Sequence, residues 1–396
     1  MANRTRNNKT LFLSLACIIS NASYYPVLQA SGIGRDIAIT VWIVLSITVV
    51  GRLFSRFTWT RELRSIIVLY VFFAINTYIV GIVNEVNAFD NHFFQTVSIA
   101  VVIFTVCTLV GLDVDINGLR KICLAYFHSM FIISIPLFFL YLKNTNLLSM
   151  IYDYTYGKNE IAVLLLCALF ICCTIYDPRT RLQKLIRIIG ILFFIVDIML
   201  LRTRSAMLGI GLLGVVIIFR IKTLRRDIRN LGLLAVITVT IYFFTHPTVL
   251  SSFMNNIVYA GRNSADLNDL SSGRGDQILL AWNTIKEYPL FGVGKRFSCD
   301  CFYVSAVANY GLFSWPLIVM SLKPIFWSIK NYNLYDDVSL CYFLISISFL
   351  FFAILEELAP FGPGTRCYLI WLMWGLLSQN KRIDRERTAN SFEPVG

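Results

Sequence analysis

Cations stand at most of the positions where this chain could do chemistry. Arg202-Thr203-Arg204 separates two apolar runs with almost no loop between them. An arginine at the middle of a membrane costs about 2.5–3.5 kcal/mol on insertion scales, and less near an interface. Two at one tight turn therefore call for an anion. Snorkelling to lipid headgroups, or pairing of Arg204 with Asp197 seven residues earlier, answers the same need. Arg274 follows Ser271-Ser272-Gly273, a cap signal, and opens a segment with Ile278, Ala281, Trp282 and Ile285 on one helical stripe until Pro289. Free N–H groups and the helix dipole favour an anion at such a start. Arg274 either faces a phosphate there or is a solvated side chain beside a capping serine. Phe291-Gly292-Val293-Gly294-Lys295-Arg296 places two glycines, which permit positive φ and close backbone approach, before two cations. That pattern fits a substrate contact or simply a turn. Asp300, between Cys299 and Cys301, could take a proton as a general base or sit solvated at an interface. Tyr156-Gly157-Lys158-Asn159-Glu160 closes a loop directly ahead of an apolar run, where Lys158 and Asn159 could line a sugar site or cap a helix. Leu355-Glu356-Glu357 with Arg366 has the look of an ion-paired loop, and His128 that of a satisfied core histidine.

The elements that must position these groups are membrane helices. Of 396 residues, 57% are hydrophobic and only 15% charged, with mean hydropathy +0.68. A soluble domain carries about a quarter charged residues, so this chain is short of polar surface. A soluble enzyme, a disordered chain and a secreted disulfide scaffold are all excluded, and the bilayer is the solvent. The net charge of +12 comes without a basic soluble block, which removes nucleic acid as a partner. Eight of the ten cysteines lie in apolar runs and serve as small core residues. Cys299 and Cys301 would make a strained bridge and complete no metal site.

Apolar runs predict spans near 11–30, 37–54, 65–83, 97–112, 122–141, 159–176, 188–201, 205–219, 231–245, 305–322, 340–355 and 365–379. The polar start, Arg4, Arg6 and Lys9, lacks a convincing cleavage site behind it, so the first run is expected to be retained as a span. Backbone groups in lipid must be satisfied within the segment, so the fold class is an all-α polytopic membrane protein of about twelve helices. Twenty-four of the 35 Lys and Arg fall on the side of the first residues and 11 on the other. The positive-inside rule then predicts both termini in the cytoplasm. The chain divides into helices 1–9 over 1–245, one large external loop over 246–304 with a short helix of its own, helices 10–12 over 305–380, and a tail over 381–396. A loop of that length is usually functional.

Taken in order, these segments resemble the O-antigen polymerase and O-antigen ligase superfamily of bacterial envelope glycan assembly. Three stretches carry the resemblance: Gly157-Lys158-Asn159, Thr203-Arg204-Ser205-Ala206, and Gly273-Arg274 through Trp282 and Pro289-Leu290-Phe291-Gly292-Val293-Gly294 to Asn309-Tyr310-Gly311-Leu312. It spans about residues 155–320. The family often has His-Asn some eleven residues before the Gly-Leu that corresponds to Gly311-Leu312; Asp300-Cys301 stands there instead, which speaks against a ligase. The resemblance implies glycosyl transfer at the periplasmic face of the bacterial inner membrane, from a polyprenyl-diphosphate-linked oligosaccharide donor to an acceptor of the same kind. Arg204 and Arg274 would clamp the diphosphate, with Arg202 or Arg296 assisting, and Asp300 would be the base. Lys158, Asn159, Gly292, Gly294 and Lys295 complete the expected substrate-binding set. No metal and no cofactor is expected, while a chain-length regulator and a flippase are the expected protein partners. The alternatives are a ligase acting on lipid A-core and a flippase or other transporter, the latter disfavoured by the absence of an internal repeat.

Overall fold

The computed structural model describes residues 2–25, 27–28, 31–54, 59–144, 158–201, 203–219, 230, 234, 237–238, 241–242, 245–255, 273–294, 297–333, 336–355, 357, 361 and 367–390. They are all-helical, with no strand among the described residues. The helices are α1 (Ala2–Ala22), α2 (Ile33–Val49), α3 (Arg61–Val83), α4 (His92–Val110), α5 (Ile116–Asn144), α6 (Lys158–Thr174), α7 (Arg181–Leu200), α8 (Arg204–Phe219), α9 (Pro247–Phe253), α10 (Arg274–Glu287), α11 (Phe302–Tyr310), α12 (Trp315–Lys330), α13 (Asp337–Leu355) and α14 (Tyr368–Asn390). Six helical stretches are long and apolar enough to cross a membrane: 33–53, 61–83, 93–110, 116–140, 302–330 and 337–355. Asn159–Thr174 and Arg204–Val216 are shorter apolar helices. The span expected over 231–245 falls largely outside the described residues.

Local sequence explains where these helices begin. The Thr60 side chain accepts the Leu63 N–H at the start of α3. Thr180 and Gln183 form a reciprocal capping box on α7. α6 is apolar all round, and every side chain from Ile161 to Cys172 is buried, as suits a central helix. α1 packs on α5, and α14 packs on α4. Phe104, Trp371 and Trp374 form a fully buried aromatic cluster between the last two. One set of polar groups inside the bundle is paired across helices. Tyr368 Oη donates to Asn21 Oδ1 at 2.7 Å, Asn21 Nδ2 to Ser129 Oγ at 2.8 Å, and Trp42 Nε1 to Ser20 Oγ at 3.0 Å.

The run expected as a span over 305–322 lies within the stretch 302–330, which is long and apolar enough to cross a membrane but is interrupted. α11 ends at Tyr310, one 3-10 turn covers Gly311–Ser314, and α12 starts at Trp315. Gly311 has φ 57°, a conformation that glycine adopts without steric cost.

Side-chain contacts sort the helix ends into two sets. At one end, Asn380 Nδ2 donates to Val114 O, Arg52 pairs with Asp113 at 2.6 Å, and Lys381 bonds Asn331. This is the basic end. At the other, Asn91 meets Asn309, Asn76 Nδ2 donates to Phe313 O, and Ser298 donates to Glu357 just beyond α13. α6 packs on α13 with its last turn, at Thr174, beside Cys341 near the start of α13. Its first residues therefore belong to the same end as Glu357, called here the loop end. Gly209 of α8 lies against Leu166 of α6, and Thr203, just ahead of α8, lies against Asn159 at the start of α6, so these two helices run parallel and begin together.

Candidate functional site

At the loop end, the first turn of α10 grips the segment ahead of α11. Gly273 is the N-cap, at φ 72°, and no side chain caps the helix. The cap expected from Ser271-Ser272-Gly273 thus falls on the left-handed glycine, and both serines lie outside the described residues. Arg274 Nε donates to Asp300 Oδ2 at 3.2 Å, and the Asp300 N–H donates to Gln277 Oε1 at 3.0 Å. The two side chains of the ion pair are 21% and 43% exposed, so a ligand can reach both. The expected stripe on α10 is not a core face. Of its members only Ala281 is buried, whereas Ile278 and Trp282 are exposed along with Leu279 and Leu280. One exposed apolar surface thus starts beside Arg274.

The glycine turn is bonded to the chain's own backbone. Gly292 and Gly294 have φ 63° and 68°. Their N–H groups donate to Tyr288 O at 3.0 Å and Asn309 O at 2.9 Å, and the Val293 N–H donates to Ala308 O. A Cβ on Gly292 would stand 2.4 Å from the Asn309 carbonyl carbon. Close approach to α11 requires glycine here, and the two amides face the chain itself rather than a ligand. Asn309 completes the clasp. Its Oδ1 accepts from the Phe297 N–H at 3.0 Å and from Asn91 Nδ2 at 2.9 Å, while its Nδ2 donates to Phe297 O at 2.8 Å and Ser305 O at 2.7 Å. Asn309 is itself fully buried, and these four bonds satisfy its amide. Asn309 was visible only as part of a motif, since an asparagine inside an apolar run carries no other signal.

Glu357 is the functional candidate that sequence reasoning missed. It accepts from Ser298 Oγ at 2.9 Å and Ser305 Oγ at 3.4 Å, one helix turn from the Asp300 segment. The ion-paired loop expected around it involves Glu356 and Arg366, both outside the described residues. Burial pushes the Cys299 thiol above its ordinary range; a hydrogen bond with the Cys301 backbone opposes the rise, and the nearby charges of Cys301, Asp300 and Glu357 add to it. Both cysteines are free thiols.

A second cluster is built from the paired starts of α6 and α8. Thr203 is buried, and its Oγ1 lies 3.5 Å from Asn159 Oδ1. Arg204, half-buried, opens α8 immediately after. Lys158 is the first residue of α6. Asp197 does not take the role of partner to Arg204. It is fully buried, and its carboxylate oxygens find no hydrogen-bond partner among the described residues. The shared helical face assumed for the two fails because α7 ends at Leu200, leaving Arg204 on a new helix. Arg202, Lys295 and Arg296 lie outside the described residues. Among the described residues, no three His, Cys, Asp or Glu side chains gather as metal ligands.

Two guanidiniums, Arg204 and Arg274, and the polar groups of Asn159, Gln277 and Asp300 therefore stand at or beside helix starts on one end of a membrane bundle, suited to a large anion with a neutral polar extension. Residues 188–317 match the family model described as O-antigen ligase, consistent with an O-antigen ligase/polymerase-like superfamily. The matched stretch takes in Arg204, Arg274, Asp300 and Asn309 and stops short of Lys158, Asn159 and Glu357. No curated protein matches the chain.

Proposed function

We propose that this multi-pass membrane protein is a glycosyltransferase of the polymerase type, joining oligosaccharide repeat units carried on polyprenyl diphosphates at the periplasmic face of the inner membrane. The observation that carries the reading is the half-exposed Arg274–Asp300 pair at the start of α10, inside the stretch that matches the family model. An acceptor hydroxyl gives its proton to Asp300, its oxygen bonds the anomeric carbon, and the bond to the diphosphate breaks with both electrons leaving on the diphosphate. Attack opposite the leaving group inverts the anomeric centre. Arg204 and Arg274 hold the growing negative charge, a task that planar guanidiniums perform without a metal. Lys158, Asn159, Arg202, Lys295 and Arg296 serve as further substrate contacts, and Gly292 and Gly294 shape the loop that carries the last two. A chain-length regulator and a flippase are the protein partners proposed.

The ion pair gives this scheme an order. A multiply charged phosphate competes with one carboxylate for Arg274, so donor binding would release Asp300 just when a base is needed. The description of the matching family favours a second reading, a ligase that passes glycan to lipid A-core. Purified protein in nanodiscs, given donor lipid alone, separates the two. A glycan ladder without core supports the polymerase, and transfer only after core is added supports the ligase. Inactivity under both conditions would overturn the glycosyltransferase reading. Activity that disappears with chelator and returns with a divalent cation would overturn the guanidinium-only scheme.

A further inference from the structure

The basic end of the bundle holds a groove that the reaction does not use. Three adjoining hollows share Arg61 and run between the start of α3, the last turns of α12 and the middle of α14. Arg61, Arg64, Lys323, Lys330, Lys381 and Arg382 line them, against one carboxylate, Glu62. Among the described residues, Arg61, Arg64, Lys323 and Lys330 make no ion pair with any carboxylate. Helices from three distant parts of the sequence thus converge on a site where, among the described side chains lining it, six cations face one carboxylate, an excess that like-charge repulsion disfavours and an anion relieves.

The shape of the groove identifies the anion. The hollow beside α12, about 500 Å³, continues from Arg61, Lys323 and Lys330 onto Val319, Leu322 and Phe326. Those three residues recur at helical spacing on α12, and Val319 and Phe326 are exposed. α3 and α12 both belong to stretches long and apolar enough to cross a membrane, so this strip faces hydrocarbon. Trp59 and Trp327 stand at its polar mouth, at the level where indole rings prefer the interface. A free phosphate would have no use for an apolar strip. We propose that the groove is a binding site for an anionic glycerophospholipid, with its headgroup phosphate among Arg61, Arg64, Lys323 and Lys330 and an acyl chain along Val319, Leu322 and Phe326. Basic pockets between membrane helices recognise such headgroups by the same physics.

Native mass spectrometry of the full chain released from detergent, titrated with diphosphatidylglycerol, phosphatidylglycerol, phosphatidylcholine or inorganic phosphate, tests the assignment. The two anionic lipids are expected to bind in preference to phosphatidylcholine. Removing two charges with Arg61→Gln and Lys330→Gln together should weaken that binding about thirtyfold, and Arg64→Gln alone about fivefold. The control pair Arg179→Gln and Lys184→Gln, on exposed residues around the start of α7, should change nothing. Phe326→Ala should weaken lipid and leave phosphate unaffected. Equal binding of phosphatidylcholine, equal losses in the control pair, or inorganic phosphate displacing lipid at matched concentration would each overturn the proposal. Thermal melts in the same detergent identify any variant that fails to fold, for which the single Arg64→Gln change gives the decisive measurement.

Discussion

Arg274 Nε and Asp300 Oδ2 stand 3.2 Å apart, so the proposed diphosphate clamp and the proposed base begin as partners in one ion pair. At this exposure such a pair is worth at most about 1 kcal/mol, little enough for a diphosphate to displace. Asp300→Asn keeps an oxygen that can accept from Arg274 but has no basicity. Turnover in glycan extension should fall by about 10²–10⁴, while the KM for donor lipid should not rise, since the charge competing for Arg274 is gone. An unchanged rate would make Asp300 a positioning group for Arg274.

Arg204 and Arg274 open separate helices at the loop end. If both hold the diphosphate, Arg204→Gln and Arg274→Gln should each abolish polymer while expression and membrane insertion stay normal. Arg274→Lys should not restore it, because an ammonium lacks the planar fork that fits two phosphate oxygens. A normal glycan ladder from either glutamine variant would remove that arginine from the clamp. The assay is a gel of radiolabelled product from purified protein.

How much of this was legible in the sequence depends on how far each signal reaches along the chain. Hydropathy located α3, α4, α6 and α13 because a run of apolar side chains is a local property. Pro289 likewise announced the end of α10, which is capped by Tyr288. The break at Gly311 was not legible, since it exists to admit the Leu290–Gly292 backbone from another loop. The same holds for Asn309 and Glu357, whose partners lie far away in sequence. The pairing of Arg204 with Asp197 failed for the opposite reason, as helical periodicity was carried across a helix end. Local rules found the scaffold, and contacts between distant segments made the site.

Cys299 reports on the integrity of the Asp300 segment. Its thiol is pushed up by burial, so at neutral pH less of it is thiolate, the reactive form. Alkylation at pH 7.5 should be slow at Cys299 and should quicken about tenfold per pH unit until its own pKa is passed. Mass spectrometry of labelled peptides across pH 7–10 gives the profile. Asn309→Ala should raise the rate at every pH by loosening the loop around Phe297. A Cys299 that labels at full speed at pH 7.5 would contradict the packing described.

Gly292→Ala and Asn309→Ala attack the same clasp from its two sides and should therefore not be additive. A methyl on Gly292 would lie 2.4 Å from the Asn309 carbonyl carbon, at a φ of 63° that alanine disfavours. Backbone strain of this kind costs about 1–3 kcal/mol, before any cost of separating the two segments. Asn309→Ala leaves the Phe297 N–H and the Asn91 amide without their acceptor. Each buried group so orphaned costs about 1–3 kcal/mol. Either variant should lower the Tm in detergent and lower turnover together, since both free the segment that holds Asp300. Once one substitution has opened the clasp, the other has less left to break, so the double variant should fall short of the summed losses. Full additivity would mean that the glycine turn and the asparagine act independently, and that Asp300 is held by Arg274 and Gln277 alone.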